Sequence, residues 1–338
     1  MAQEALASER AEITAADAIE FYYEKGWTDG LPVVPATEDR VREFLAHAGK
    51  QPSDVIGVVP TRGRVITAEK VAINAVMAGC RPEYMPVVVA VIEAMTEPEF
   101  NYHGSLASTG GSAQLIVVNG PIARELEING GVNVFGPGCR ANATIGRAVR
   151  LIIMNVTGGI PGDLDKSTFG HGGKYSFCIA ENEEASPWEP LHVQRGFRLD
   201  ESAVTVFAVQ SPLQFMDHAS NTPEGLLDSA ARAMSVMGAN LGEMVVVWSP
   251  EHIGHFRNAG WTKRQAMEHL AQSAEALGGA GGERRPVVAG PDALSMIVAG
   301  GDAGGFSCII PPWGGGRISK SVTKPVPGLN RDKERGVG

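Results

Sequence analysis

The sequence predicts an α/β fold made of two pseudo-repeated α/β halves with mixed or mostly parallel sheets. Three observations predict it. Apolar, strand-like runs alternate with helical runs along the 338 residues. The 42 glycines and 21 prolines fall at segment ends and form no low-complexity blocks. Residues 115–131, LIVVNGPIARELEINGG, align without gaps on residues 244–260, MVVVWSPEHIGHFRNAG.

The first helix follows Thr14 as cap, runs through AADAIEFYYEKG and closes at Gly26, and LPVVP then reads as a short extended segment. A second helix starts at Thr37. Thr67 caps KVAINAVMAGC, and Pro82 precedes MPVVVAVIEAM; both read as buried helices, the second valine-rich and partly extended in character. In each copy of the repeat a strand ends at a small residue followed by Pro121 or Pro250, which suits the first helical position. A longer helix comes next, NATIGRAVRLIIMNV in one copy and TKRQAMEHLAQSAEAL in the other. Helical runs at 71–78 and 226–237 precede the two strands.

Between the copies, KYSFCIA alternates, with Tyr175, Phe177 and Ile179 on one face and Ser176, Cys178 and Ala180 on the other. SAVTVFAVQ is read as the strand that opens the second half, so the boundary is expected near Phe197. Residues 1–197 then form an N-terminal half carrying a glycine-rich turn and an acidic segment, residues 198–325 a C-terminal half, and residues 326–338 a flexible tail. Near the end, ALSMIVAGGDAGGFSCIIPPWGGGR reads as strand, glycine turn, strand, glycine turn.

A net charge of −9 and a pI near 5.4 provide no basic face for nucleic acid or for an anionic membrane. The N-terminal MAQEALASER lacks an apolar signal core, and no run approaches the ~18 apolar residues of a membrane span, so the cytoplasm is the expected location. Cys80, Cys139, Cys178 and Cys308 are scattered and form no CxxC, which predicts reduced thiols and no disulfide framework. No cofactor is predicted; convergence of these cysteines on an iron–sulfur cluster, or a metal at His252 and His255 of EHIGH, stands as the alternative.

Residues 168–192, TFGHGGKYSFCIAENEEASPWEPLH, concentrate the side chains able to do chemistry. Glu181 and Glu183 follow the strand at the end where open α/β sheets gather ligand groups, and neighbouring carboxylates raise one another's pKa, which suits acid–base work. His171, Lys174 and Asn182 are candidates to polarise a substrate, Trp188 to wall a pocket, and Cys178 to serve as nucleophile or as packing. In GPGCRANATIGR, residues 136–147, a glycine turn enters a helix. Its free amides with Arg140 and Asn142 would seat an anion and activate Cys139. In AGGDAGGFSCIIPPWGGGR, residues 299–317, Asp302 and Arg317 flank two glycine turns that admit a ligand. WTDGLP, residues 27–32, reads as a lid or a helix-to-strand joint.

The segments GWTDGLPVVPAT, NAVMAGCRPEYMPVV, RANATIGRA, KYSFCIAENEEASPWEPLHV and the AGGDAGGFS turn resemble a bacterial family associated with the UGSC (seleno)proteins. The resemblance covers most of the chain, although the UGSC tetrapeptide itself is absent. It implies a redox or reductive-cleavage setting in which a thiol or selenol acts, and a (seleno)protein partner; it assigns no catalytic residue. The residues themselves point to an enzyme acting on a small anionic or carbonyl-containing molecule by carboxylate acid–base chemistry, of lyase or hydrolase type. A thiol-based redox enzyme and a non-catalytic partner subunit are the rival readings, and a homo-oligomer is the expected assembly.

Overall fold

A computed structural model of the chain describes residues 4–14, 17–237, 242–278, 287–314 and 319–328. In chain order its helices are α1 (Ala18–Glu24), α2 (Glu38–His47), α3 (Ala68–Ala78), α4 (Met85–Met95), α5 (Tyr102–Leu106), α6 (Pro121–Glu125), α7 (Arg140–Asn155), α8 (Leu191–Gln194), α9 (Pro223–Ser235), α10 (Pro250–Ala259) and α11 (Lys263–Leu277). Its strands are β1 (Val55–Val59), β2 (Arg64–Thr67), β3 (Ala113–Asn119), β4 (Cys178–Ala180), β5 (Ser202–Val209), β6 (Leu213–Met216), β7 (Met244–Trp248), β8 (Leu294–Val298), β9 (Phe306–Ile310) and β10 (Val322–Val326).

Two four-stranded mixed sheets organise the fold, with orders β10-β5-β3-β4 and β6-β9-β7-β8. In each, a central strand pairs in parallel with an edge strand (β3 with β4, β7 with β8) and antiparallel with its other neighbour (β5 or β9). The outermost strand, β10 or β6, is antiparallel as well. β1 and β2 form a separate antiparallel hairpin, not foreseen from the sequence.

Strand periodicity decides the layering, because successive side chains point to opposite faces. Leu115 and Val117 of β3, Ile179 of β4 and Phe207 of β5 pack with Val245 and Val247 of β7, Ile297 of β8 and Ile310 of β9 in a core between the two sheets. The alternate residues, Ile116, Val118, Cys178, Val204 and Val206, face α3, α4 and α7, while Val246, Trp248, Met296 and Ile309 face α9, α10 and α11. The result is helix, sheet, sheet, helix. Both faces of each sheet are covered, so the strands read as near-continuous apolar runs.

Thr14 does not cap the first helix, which starts at Ala18 behind Asp17, and Thr37 precedes α2 without a side-chain cap bond; other capping residues act as their sequence positions require. Thr67 accepts from Lys70 N at the start of α3, and Thr262 and Gln265 form a capping box on α11. Pro121 and Pro250 open α6 and α10. The valine-rich MPVVVAVIEAM is helical throughout, and only Glu93 within it escapes full burial. A helix apolar on all sides is a core helix, and tertiary burial outweighs the valine preference for strand.

Two expectations are corrected. SAVTVFAVQ does not open a second sheet: β5 pairs with β3 along its whole length, and β10, from the chain's end, pairs with β5. An alternating apolar strand states its faces but not its neighbour, so the 197/198 boundary cuts through the first sheet. Val326 is the last residue of β10, not the start of a tail, and residues 329–338 lie outside the described residues.

At the β3–α6 turn, Gly120 has φ +81°, and a Cβ there would stand 2.1 Å from the Glu201 carbonyl oxygen. Gly120→Ala is therefore expected to destabilise the fold by about 2 kcal/mol or more. Urea unfolding checks this, and an unchanged midpoint would contradict it.

Candidate active site

The end of β3 carries a polar residue after the four apolar residues Leu115, Ile116, Val117 and Val118. Asn119 is fully buried, and its Nδ2 donates to Glu181 Oε2 at 2.7 Å and to Glu183 Oε1 at 3.0 Å. Because β4 runs parallel beside β3 in register Val118 to Ala180, the residues following β4 reach Asn119 directly. Gly120 N donates to Glu183 Oε1 at 2.7 Å and Leu191 N to Glu181 Oε2 at 2.8 Å. One amide thus bridges two carboxylates. His192, at the start of α8 and fully buried, places Nδ1 3.8 Å from Glu183 Oε1.

Four buried polar atoms here have no hydrogen-bond partner: Asn119 Oδ1, Glu181 Oε1, and both ring nitrogens of His192. Buried polar groups are normally satisfied, so each of these four atoms calls for an explanation, and a functional role is one. The carboxylates border a cleft of about 290 Å³ whose wall includes Gly130, Gly131, Asn182 and Arg124. Gly130 is required there, since a Cβ would lie 2.6 Å from the Ala180 carbonyl oxygen.

Burial pushes the Glu181 carboxyl above the ordinary carboxylate range. The Lys263 ammonium opposes it most, followed by the hydrogen bonds from Leu191 and Asn119. Lys263 itself is held below the ordinary lysine range by burial, against the attraction of Glu181 and Glu189. Its Nζ donates to Glu189 O and to Gln194 Oε1, both at 2.9 Å. Glu181 follows β4 of the first sheet, and Lys263 opens α11 on the second.

Of the residues singled out by sequence, Glu181, Asn182 and Glu183 meet at this cleft. Asn142 stands behind it: its Oδ1 accepts from Asn129 N at 2.7 Å and its Nδ2 donates to Asn129 O at 2.9 Å, pinning the turn that carries Gly130. Both ends of its amide are thereby taken up by the Asn129 backbone.

The others take different places. Arg140 Nε donates to Gly79 O at 3.0 Å and its Nη2 to Cys80 O at 3.3 Å, so it caps the carboxyl end of α3. Cys139 Sγ donates to Glu127 O at 3.2 Å. Lys174 Nζ binds Asp165 at 2.6 Å and Ser167 at 2.7 Å, in a buried cluster that Arg150 joins. His171 Nδ1 accepts from Gly173 N, and its ring meets Phe177 edge-on. None of these four lines the cleft.

Cys178 packs in the helix-facing core, where burial pushes its thiol far up; burial takes Cys80 and Cys308 up to about 12. Held protonated, these three thiols are poor nucleophiles. Trp188 fills the second core against Phe256 and donates to Trp261 O. Asp302 is exposed on its turn, and Arg317 lies outside the described residues. Asp29 of WTDGLP takes a bidentate contact from Arg147 at 2.8 Å, which makes that segment a joint. Among the described residues, no three His, Cys, Asp or Glu side chains cluster as metal ligands, and no helix is long and apolar enough to cross a membrane.

Asn119, Lys263 and Arg124 were not foreseen, and His192, though within the segment rich in reactive side chains, was given no role. Asn119 did leave a signal, a lone amide closing the apolar run LIVVN. No protein-family model matches the chain, and no curated protein matches its sequence.

A carboxyl whose folded pKa is raised binds its proton more tightly folded than unfolded. The stability it contributes is present in acid and is lost as pH climbs from about 4.5 through the folded value. Glu181→Gln is expected to flatten the fall in stability over that window, measured by denaturant unfolding at a series of pH values. An unaltered slope would remove Glu181 from the set of perturbed groups.

Proposed function

We propose that the chain is an enzyme that moves protons on a small anionic or carbonyl-containing molecule in the cleft at the ends of β3 and β4, in a reaction of lyase or hydrolase type. The observation that carries this reading is the carboxyl pair bridged by Asn119, with unspent polar atoms on Asn119, Glu181 and His192. Two carboxyls held in unequal environments are the means by which one site runs acid and base steps together.

Of the two carboxyls on the cleft, Glu183 is the more accessible; its side chain retains 16% exposure, whereas Glu181 is buried. Glu183 takes the proton from the substrate, and His192 stands close enough to stabilise or relay it. Arg124, on the cleft wall and largely exposed, meets the anionic end of the substrate in the place first given to Arg140. Glu181 serves as a proton reservoir whose affinity is set by burial and by Lys263.

The matching strand orders of the two sheets support reading the halves as a pseudo-repeat. In that reading the position of Glu181 after β4 is taken by Ala299 after β8, followed by Gly300 and Gly301.

The test is a panel of small carboxylic acids, amides and carbonyl compounds incubated with the protein in D2O, with exchange at carbon and product formation followed by proton NMR. Wild-type protein is expected to exchange or convert at least one compound, and Glu183→Gln to slow it by about 10²-fold or more. Rates that Glu183→Gln leaves intact would overturn the assignment.

A further inference from the structure

A second cavity, of about 280 Å³, opens at the corresponding end of the other sheet, beyond β7, β8 and β9, and is lined in part by Ser249, Ser307, Gly300 and Gly301. It lies next to the first cleft, across the turn after Asn129, because Gly300 N donates to Gly130 O at 2.9 Å. The proton-transfer reading uses none of its side chains.

Ser307 Oγ stands 2.7 Å from His252 Nδ1, and His252 Nε2 stands 2.9 Å from the Asp217 carbonyl oxygen. A carbonyl oxygen only accepts, so Nε2 carries the ring proton and Nδ1 of the neutral imidazole is the acceptor. Ser307 must then donate its hydroxyl proton to Nδ1. Ser249 N donates to Ser307 Oγ at 3.3 Å, which fixes the oxygen from another side.

The imidazole is held in place as a base must be. Phe215 stacks on it at 6.3 Å and 23°, and Trp248 meets its edge. The Asp217 turn is itself locked, with the carboxylate accepting from Ala219 N, Ser220 N and Ser229 Oγ. Burial lowers the proton affinity of His252, keeping it neutral and able to accept. Nucleophile, base and orienting acceptor thus stand in line, with a backbone carbonyl in the third role.

We propose that Ser307 is a serine nucleophile, with His252 as its base, that takes the acyl group of a small ester or thioester bound in this cavity. Ser307 Oγ bonds to the acyl carbon as its proton passes to His252 Nδ1. The bond from that carbon to the leaving oxygen or sulfur then breaks, and the leaving group departs with the proton from His252. Water, deprotonated by the same imidazole, releases the acid and restores the hydroxyl. Val134, Phe135 and Val247 give the cavity an apolar wall that suits a short acyl chain.

The test treats the full chain with a fluorophosphonate probe, whose phosphorus bonds to the serine oxygen as fluoride leaves, and maps the adduct by peptide mass spectrometry. An adduct on Ser307 is expected. Ser307→Ala should abolish it, and His252→Gln should slow it by about 10²-fold with the circular dichroism spectrum unchanged. Wild-type protein that carries no adduct on Ser307, under conditions that fully label a known serine hydrolase, overturns the proposal whether or not the variants fold. Labelling that proceeds at the same rate in Ser307→Ala does so equally. The readout is separate from proton exchange in the first cleft, so failure of one reading leaves the other standing.

Discussion

Two main-chain hydrogen bonds set the geometry of the end of the molecule where the two clefts open. Asn182 N, just past β4, donates to Val298 O at the end of β8, and Gly300 N, just past β8, donates to Gly130 O. Buried backbone groups must find partners, and here the edge strands of two sheets use each other's ends to do so. The exchange fixes how far the residues after β4 can travel. It folds Glu181 inward, under Asn119, and turns Glu183 toward the cleft.

The same interlock explains why a buried carboxyl is tolerated. Taking a carboxyl out of water raises its pKa or demands a compensating charge nearby, and this protein does some of each. Lys263, at the first position of α11, is brought from the opposite half to face it, and gives its own hydrogen bonds to Glu189 and Gln194. Neither group is comfortable alone. Their attraction acts between the two sheet layers that the strand ends also join.

The sequence made the helices and their caps legible because capping and apolar periodicity are local: Thr67, Thr262, Pro121 and Pro250 act on residues within a turn of themselves. Strand neighbours were not legible, since Ser202–Val209 fits either sheet by pattern alone. In the site, Glu181, Asn182 and Glu183 were visible as a cluster because they are adjacent in the chain. Arg140 and Cys139 had the right local chemistry but are engaged by Gly79 and Glu127, contacts of 61 and 12 residues' separation that no local pattern encodes. Lys263 was invisible for the same reason: beside Thr262 it reads as an ordinary first-turn residue.

The joining of the halves at one buried acid is measured most directly by the carboxyl titration of Glu181, followed by carbon-13 NMR in wild-type protein and in Lys263→Met. Glu181 should titrate above 4.5 in the wild type and higher still once the ammonium is gone. A titration at or below 4.5 would contradict the upward shift by burial, and one that Lys263→Met leaves in place would contradict the coupling to Lys263.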